Sequence, residues 1–297
     1  MLVSIIIPTR NNAETIERCL ESVKKQTYGK IEIIVIDGGS SDKTIELAKK
    51  YTGMVVILDL EEVPKGHFTA TYQRNYGVKI SSGELVYYLD ADMIFTPTVV
   101  SDCVKKIKEG YDAIIIPEDS FGEGFWANCK KIERRCYLGD DTVEAPRFLK
   151  RSVWDAVGGL DEKIGGGGDD WDLHQKLLEN GYKIGRVKSL VMHNEGRLSL
   201  SKLARKRFMY GKDVLKYFKK RREKAVVSYF PVRLAFIRNW RFFIKDPIHG
   251  LGVIFMRAVE YLAGFAGMLA TLVDIRATSL NFIFKKSGER NEEFLEP

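Results

Sequence analysis

From residue 2 to residue 116, short apolar runs of strand character alternate with segments of helical period, and no other feature limits the fold of this chain so tightly. Ile5, Ile6 and Ile7 form an apolar run closed by Pro8, Thr9, Arg10, Asn11 and Asn12. A helix follows with Ile16, Cys19, Leu20 and Val23 on one face, and Asn12 stands as its N-cap. Residues 31–36 make a second buried strand that ends at Asp37, and Ser41 is placed to cap the next helix. Residues 55–58 read as a strand, 69–81 as a helix holding Arg74 and Asn75, and 111–116 as a further strand. Between them Thr96 and Pro97 open a helix with Val100, Cys103, Val104 and Ile107 inward. This order predicts an α/β fold, Rossmann-like, with a mostly parallel sheet and helices on both faces.

In such sheets ligands bind beyond the carboxyl ends of the strands. Three strands here end in polar groups at that edge: Thr9 to Asn11, Asp37, and the pair Asp90 and Asp92 after the apolar run 85–89. Carboxylates one residue apart at a strand end point to one side, a placement suited to Mn²⁺ or Mg²⁺ completing its shell with water and phosphate. The same three residues, Asp90-Ala91-Asp92, also suit an ordinary solvated turn. The coincidence of three polar strand ends favours a nucleoside diphosphate ligand over the bland alternative.

Order loosens over residues 118–145, although 126–138 has helical character. A strand at 146–149, a helix near 153–157 and a four-glycine loop at 165–168 follow. The loop is free to close over a ligand, with Asp169 as cap of a helix that buries Leu173 and Leu177. Residues 182–192 read as the last strand, ending at His193.

A chain of 297 residues supports one large domain with an appendage, and its net charge of +7 invites anionic partners. No nucleic-acid recognition motif accompanies that charge. Four cysteines without a Cys-x-x-Cys pair argue against a zinc site or disulfide framework and for a reducing cytosol, and the N-terminus has no signal-peptide pattern. Past residue 224 the composition turns aromatic and basic: Arg238, Arg241 and Lys245 recur at helical spacing among Phe236, Ile237, Trp240, Phe243 and Ile244. A second apolar segment, 251–273, carries Arg257 and Glu260 at i, i+3. These segments suit helices lying in a membrane interface, or helices packed on the rest of the protein. The expected division is a catalytic domain at 1–224, an amphipathic membrane-interface extension at 225–284 and a polar tail at 285–297.

Taken in order, Ser4 to Asn11, Glu32 to Asp42, Arg74-Asn75-x-Gly77, Ser82-Gly83-Glu84, Leu89-Asp-Ala-Asp92 and Gly168-Asp-Asp-Trp-Asp-Leu173 resemble the family 2 inverting glycosyltransferases of the GT-A fold, over about residues 1–197. The resemblance implies that Pro8, Thr9, Asn11 and Asp37 line the base and ribose pocket of a nucleotide sugar, UDP- or GDP-linked. It implies further that Arg74 faces the phosphates, Asp90 lies near ribose and metal, and Asp92 binds the metal directly. Where the family commonly has Glu-Asp, this chain has Asp169-Asp170, so Asp170 takes the place of the general base and Asp169 is left between acceptor contact and helix capping. Asp169 and Asp172 would offset the helix dipole that weakens Asp170 as a base. His193 stands between a third metal ligand and an ordinary hydrogen-bonding residue. Arg205, Lys206, Arg207 and Lys212 read as a solvated basic face that can also meet phosphates. The implied activity is transfer of a hexose to a hydroxyl of a lipid-linked or surface glycan, peripherally on the cytoplasmic side of the cell membrane. A polyprenyl-phosphate acceptor, or a membrane subunit that binds nucleotide sugar without catalysis, are the alternatives.

Overall fold

The computed structural model describes the backbone of residues 1–165, 168–221 and 233–292. Parts of the glycine loop (166–167), of the start of the C-terminal extension (222–232) and of the tail (293–297) lie outside the described residues. β1 (Val3–Thr9), α1 (Ile16–Lys24), β2 (Ile31–Asp37), α2 (Thr44–Lys49), β3 (Val55–Ile57) and α3 (Thr69–Ile80) open the chain. They lead to β4 (Leu85–Tyr88), β5 (Met93–Phe95), α4 (Val99–Lys108), β6 (Ala113–Ile115), β7 (Glu118–Glu123) and α5 (Phe125–Tyr137). Then come β8 (Phe148–Lys150), α6 (Arg151–Val157), α7 (Gly168–Glu179), β9 (Ile184–Arg186), β10 (Val191–Arg197) and α8 (Leu200–Lys220). α9 (Leu234–Arg238), α10 (Arg241–Lys245) and α11 (Pro247–Glu292) follow.

Seven strands lie in the order β3-β2-β1-β4-β8-β6-β9, and β8 alone among them runs antiparallel to its neighbours. The mostly parallel expectation holds because the inner strands are apolar on both faces. Ile5 and Ile7 enter one core with Cys19, Leu20, Val100 and Val104, whereas Ile6 enters the other with Val78, Trp154 and Leu173. Each such buried isoleucine contributes about 1.5–3 kcal/mol. α3 lies so close to β1 and β2 that a Cβ at Gly77 would collide with Ile6. A second sheet, β5-β10-β7, lies beside the first, with β10 antiparallel to β5 and parallel to β7.

Several local expectations are corrected. Asn12 does not cap α1 with its side chain, because its Oδ1 accepts from Thr9 Oγ1 (2.9 Å) and Arg10 N (3.0 Å). Asp42 rather than Ser41 accepts the Thr44 N–H, at 3.0 Å. Residues 182–192 are two strands, and His193 sits inside β10 opposite Met93 and Ser120 instead of following a strand. Arg238, Arg241 and Lys245 do not share one helix, since Asn239 and Trp240 form a turn between α9 and α10. α11 continues past residue 285, where the sequence places a polar tail.

α5, α8 and α11 meet around a third core of Cys129, Ile132, Cys136, Leu203, Val253 and Met256. Gly211, Gly264 and Gly267 let α8 and α11 approach backbone to backbone. Beside that core lies a buried ion cluster. Lys130 Nζ reaches Glu133 (2.7 Å) and Glu260 (3.4 Å), Arg257 Nη1 reaches Glu133 (3.1 Å) and Glu260 (3.0 Å), and Arg207 Nε reaches Glu260 (3.3 Å). Arg207 is thus an inward partner, not part of a solvated face. By length and composition 247–273 could cross a bilayer, yet its two charges are turned inward onto the protein.

Candidate active site

The register of β1 and β2 pairs Thr9 with Asp37, which sets the two strand ends level. Asp37 is fully buried, with Oδ1 accepting from Gly39 N (2.9 Å) and Ser40 N (2.7 Å) and Oδ2 from Ser40 Oγ (2.5 Å). Asn11 adopts φ 54°, a left-handed conformation that asparagine tolerates better than most residues. Its N–H donates to Ser40 Oγ (2.8 Å) and its Oδ1 accepts from Ser41 N (2.8 Å), so the two loops are joined. From α3, Gln73 Nε2 donates to the carbonyls of Thr9 (3.0 Å) and Ile36 (2.6 Å). Pro8, Thr9, Asn11 and Asp37 therefore form one continuous edge, and Gln73 is a support that the sequence pattern did not single out.

β4 ends at Tyr88, so Asp90 and Asp92 lie in a turn and strand alternation does not govern them. Their side chains part. Asp90 Oδ1 accepts from Arg74 Nη2 (2.6 Å) and Oδ2 from Arg147 Nη1 (3.2 Å). Asp92 Oδ2 lies 3.2 Å from His193 Nε2, and its carbonyl accepts from Asn194 N (2.8 Å). Asp169 and Asp170 sit inside the first turn of α7 rather than at its cap, both buried. Asp169 Oδ2 accepts from Arg74 Nη1 (2.7 Å) and Thr71 Oγ1 (3.1 Å). Asp170 accepts from Tyr88 Oη (2.8 Å) and Arg147 Nη2 (2.8 Å). The Tyr88 ring lies within 5.2 Å of the Arg74 guanidinium and 5.8 Å of that of Arg147. Asp172 turns away to Lys220 (2.9 Å) and Arg221 (2.7 Å), so it is not beside Asp170 as a second negative charge.

Burial and the neighbouring Asp170 push the Asp169 carboxyl above its ordinary range despite Arg74. Burial acts the same way on Asp90, but Arg74 and Arg147 outweigh it and hold that carboxyl low. Arg147 also approaches Glu118 Oε1 (3.4 Å), and Glu118 Oε2 accepts from Arg134 Nη1 (2.6 Å). Arg134 Nη2 lies 2.7 Å from His193 Nδ1. A guanidinium only donates, so Nδ1 is the acceptor and His193 carries its hydrogen on Nε2, toward Asp92. Arg147, Glu118 and Arg134 were not legible as site residues. Arg147 is a lone cation before a short strand, and α5 shows no clear polar bias because Arg134 faces the cleft and Arg135 reaches Asp119 while Cys129, Ile132 and Cys136 face the third core.

Asp92 Oδ1 is the one buried carboxylate oxygen among the described residues without a hydrogen-bond partner. With the His193 ring, once its hydrogen leaves Nε2 for Nδ1, it would offer a carboxylate-and-imidazole donor set that fits Mn²⁺, and Mg²⁺ when water and phosphate oxygens fill the rest of the shell. No three acidic, histidine or cysteine side chains converge among the described residues, so a cation here would draw most of its ligands from substrate and water.

Residues 4–159 match the model of the family described as Glycosyl transferase family 2. Glycosyltransferase AglE of Haloferax volcanii is 40% identical over 94 residues, 30% of each chain. Poly(ribitol-phosphate) beta-N-acetylglucosaminyltransferase TarP of Staphylococcus aureus is 36% identical over 169 residues, 52% of this chain and 50% of the relative. A PGL/p-HBAD biosynthesis glycosyltransferase of Mycobacterium bovis is 35% identical over 203 residues, covering 64% of this chain and 75% of the relative. The chain spans half the length or less of the first two of these relatives. In fold it is similar to the mannosyltransferase PcManGT of Pyrobaculum calidifontis, solved with GDP-Man and Mn²⁺ (TM-score 0.59, 17% identity, 92% of this chain and 87% of that one). It is also similar to S. aureus TarS (TM-score 0.51, 18% identity, 91% and 55%).

Proposed function

The chain belongs to glycosyl transferase family 2, and from that membership we propose that it is a metal-dependent inverting enzyme that moves a hexose from a nucleoside-diphosphate sugar to a hydroxyl of a lipid-linked or surface glycan. One observation carries this reading: Asp92, with its unpartnered Oδ1, stands with His193 next to an arginine-laced group that contains Asp170. Pro8, Thr9, Asn11 and Asp37 hold the base and ribose. Arg74, and Arg147 with it, turn from their carboxylates to the donor phosphates. Asp92 and His193, with Asp90 nearby, would hold a divalent cation, which would supply positive charge to offset that of the departing diphosphate. Asp170, released by Arg147, accepts the proton of the acceptor hydroxyl as its oxygen attacks the anomeric carbon from the opposite face, which inverts configuration. Asp169 anchors Arg74 and shapes the acceptor side. The GDP-Man and Mn²⁺ of PcManGT are in keeping with a UDP- or GDP-linked donor and a divalent cation.

The free, buried cysteines suit a reducing cytosol, and the exposed apolar side of α11 suits attachment to the cytoplasmic side of the cell membrane without a spanning segment. A polyprenyl-phosphate acceptor remains the second reading, favoured by that same apolar side. A phosphate acceptor is already anionic and needs no base, so a mild Asp170→Asn effect would select it.

The test is thermal stability with UDP-, GDP- and dTDP-sugars, each with Mn²⁺, Mg²⁺ or chelator, for the natural chain and Asp92→Asn. A donor at about 100 times its Kd adds about 2.7 kcal/mol. A metal-dependent shift with one donor, lost in Asp92→Asn, is the expected result. Equal shifts in the variant would remove Asp92 from the metal site, and no shift with any donor would overturn the reading.

A further inference from the structure

α11 carries a surplus apolar face. Ile248, Leu251, Phe255, Leu262, Phe265 and Leu269 recur at helical spacing and are exposed, a stripe about 32 Å long. The opposite face of the same helix is fully engaged, because Arg257 and Glu260 belong to the buried ion cluster with α5 and α8. Ile237, Trp240 and Ile244 of the α9–α10 segment add to the exposed apolar surface. Between α5 and α10 lies a cavity of about 310 Å³ lined by Asn128, Lys131, Arg135, Phe242, Lys245 and, among others, Asp246. Lys131 and Lys245 have no ion-pair partner among the described residues. Arg135 spends only its Nε on Asp119 (3.0 Å), and Asp246 is drawn to His249 Nδ1 (2.7 Å).

We propose that this cup seats the phosphate of an anionic phospholipid headgroup in a bilayer on which the α9–α11 face lies. The proposal rests on the membrane-attachment reading and adds a specific headgroup site to it. Uncompensated cations beside an apolar stripe are the arrangement that an interfacial surface requires, with basic groups at headgroup depth and apolar groups below. A purely proteinaceous partner would cover the stripe without calling for free cations around a cavity. The cup also joins the bilayer to the cleft through one helix: Lys131 and Arg135 flank Arg134, which holds His193 and Glu118.

The full chain should be floated with vesicles of phosphatidylcholine alone and with phosphatidylglycerol added, beside Lys131→Gln/Lys245→Gln and a control losing the same charge elsewhere, Lys24→Gln/Lys49→Gln. The expected result is tighter binding to the anionic vesicles, lowered about tenfold or more in the cup variant, with the weaker neutral-vesicle binding and the control unchanged. A cup variant that binds anionic vesicles as the natural chain does, or a control that loses as much, overturns the cup while leaving membrane attachment standing. Failure of the natural chain to float with either vesicle overturns the attachment reading and the proposal together.

Discussion

Two buried charge clusters of similar ingredients adjoin along α5, one through Lys130 and Glu133 and the other through Arg134, and they are balanced differently. At the junction of α5, α8 and α11, Lys130, Arg207 and Arg257 face two carboxylates, Glu133 and Glu260, so cations outnumber acids by one. In the cleft, Arg74, Arg134 and Arg147 face five, Asp90, Asp169, Asp170, Glu118 and Glu195, and Asp92 beside His193 adds a sixth. A surplus of buried negative charge is costly unless a cation joins it. The first cluster is complete as it stands and holds helices together, whereas the second is arranged for something that brings positive charge.

The comparison can be broken most sharply at Asp170. Asp170→Asn should lower kcat by about 10²–10⁴-fold for a hydroxyl acceptor, measured in single turnovers, with little loss of thermal stability because it relieves the acid surplus. A variant that unfolds would make the cleft cluster as structural as the junction. Glu133→Ala tests the other side: it leaves Lys130 and Arg257 buried with one carboxylate fewer and should cost about 3–5 kcal/mol in urea unfolding, while donor affinity of the folded fraction is unchanged.

Acid should separate the clusters as well. Burial opposes ionisation of Glu133 and Glu260, but Lys130 with Arg257, and Lys130 with Arg207, outweigh it and hold both carboxyls below their ordinary value. Stability from such groups is complete above the ordinary glutamate value of about 4.3 and is lost as pH falls through the lower folded values. In the cleft Asp169 is shifted up and Asp90 down, so their contributions to the pH dependence oppose each other. Below about pH 4 the α11 junction should therefore loosen first. Trp126, stacked on Phe255 at 6.1 Å, would report it by fluorescence before any change in the sheet.

The sheet was legible because period-two and period-3.6 patterns in 2–116 had no competitor, and each face of β1 and β2 had its own core to fill. Part of the family resemblance proves to be architecture rather than chemistry. Glu32 accepts from Ser82 N (2.7 Å), Gly83 N (2.8 Å) and Ser4 Oγ, a latch near the amino ends of β1 and β4. β7, with the sequence Glu-Asp-Ser-Phe-Gly-Glu, and the three-residue β5 carry too little apolar alternation to announce themselves. Their pairing with β10 is what brings His193 to Asp92. Arg134 and Arg147 act across 59 and 57 residues respectively, on His193 and Asp90, separations over which a single sequence holds no spacing signal.

The smallest expected effect concerns whether the cleft's histidine takes part in cation binding. Arg134 donates to Nδ1 and so keeps the hydrogen of His193 on Nε2, the nitrogen nearer Asp92. Coordination through Nε2 needs that hydrogen on Nδ1, where the guanidinium already points, so Arg134 must first withdraw onto Glu118 and Glu195. Arg134→Met removes both the misplaced donor and a competing positive charge, and by relief of that repulsion should tighten Mn²⁺ binding to the free protein by about tenfold in calorimetric titration. A weaker affinity would mean that the Arg134 bond orients the ring for its ligand. An unchanged affinity would leave Asp92 to bind the cation without His193, and the imidazole would then serve the second sheet in the way that Glu133 serves the junction.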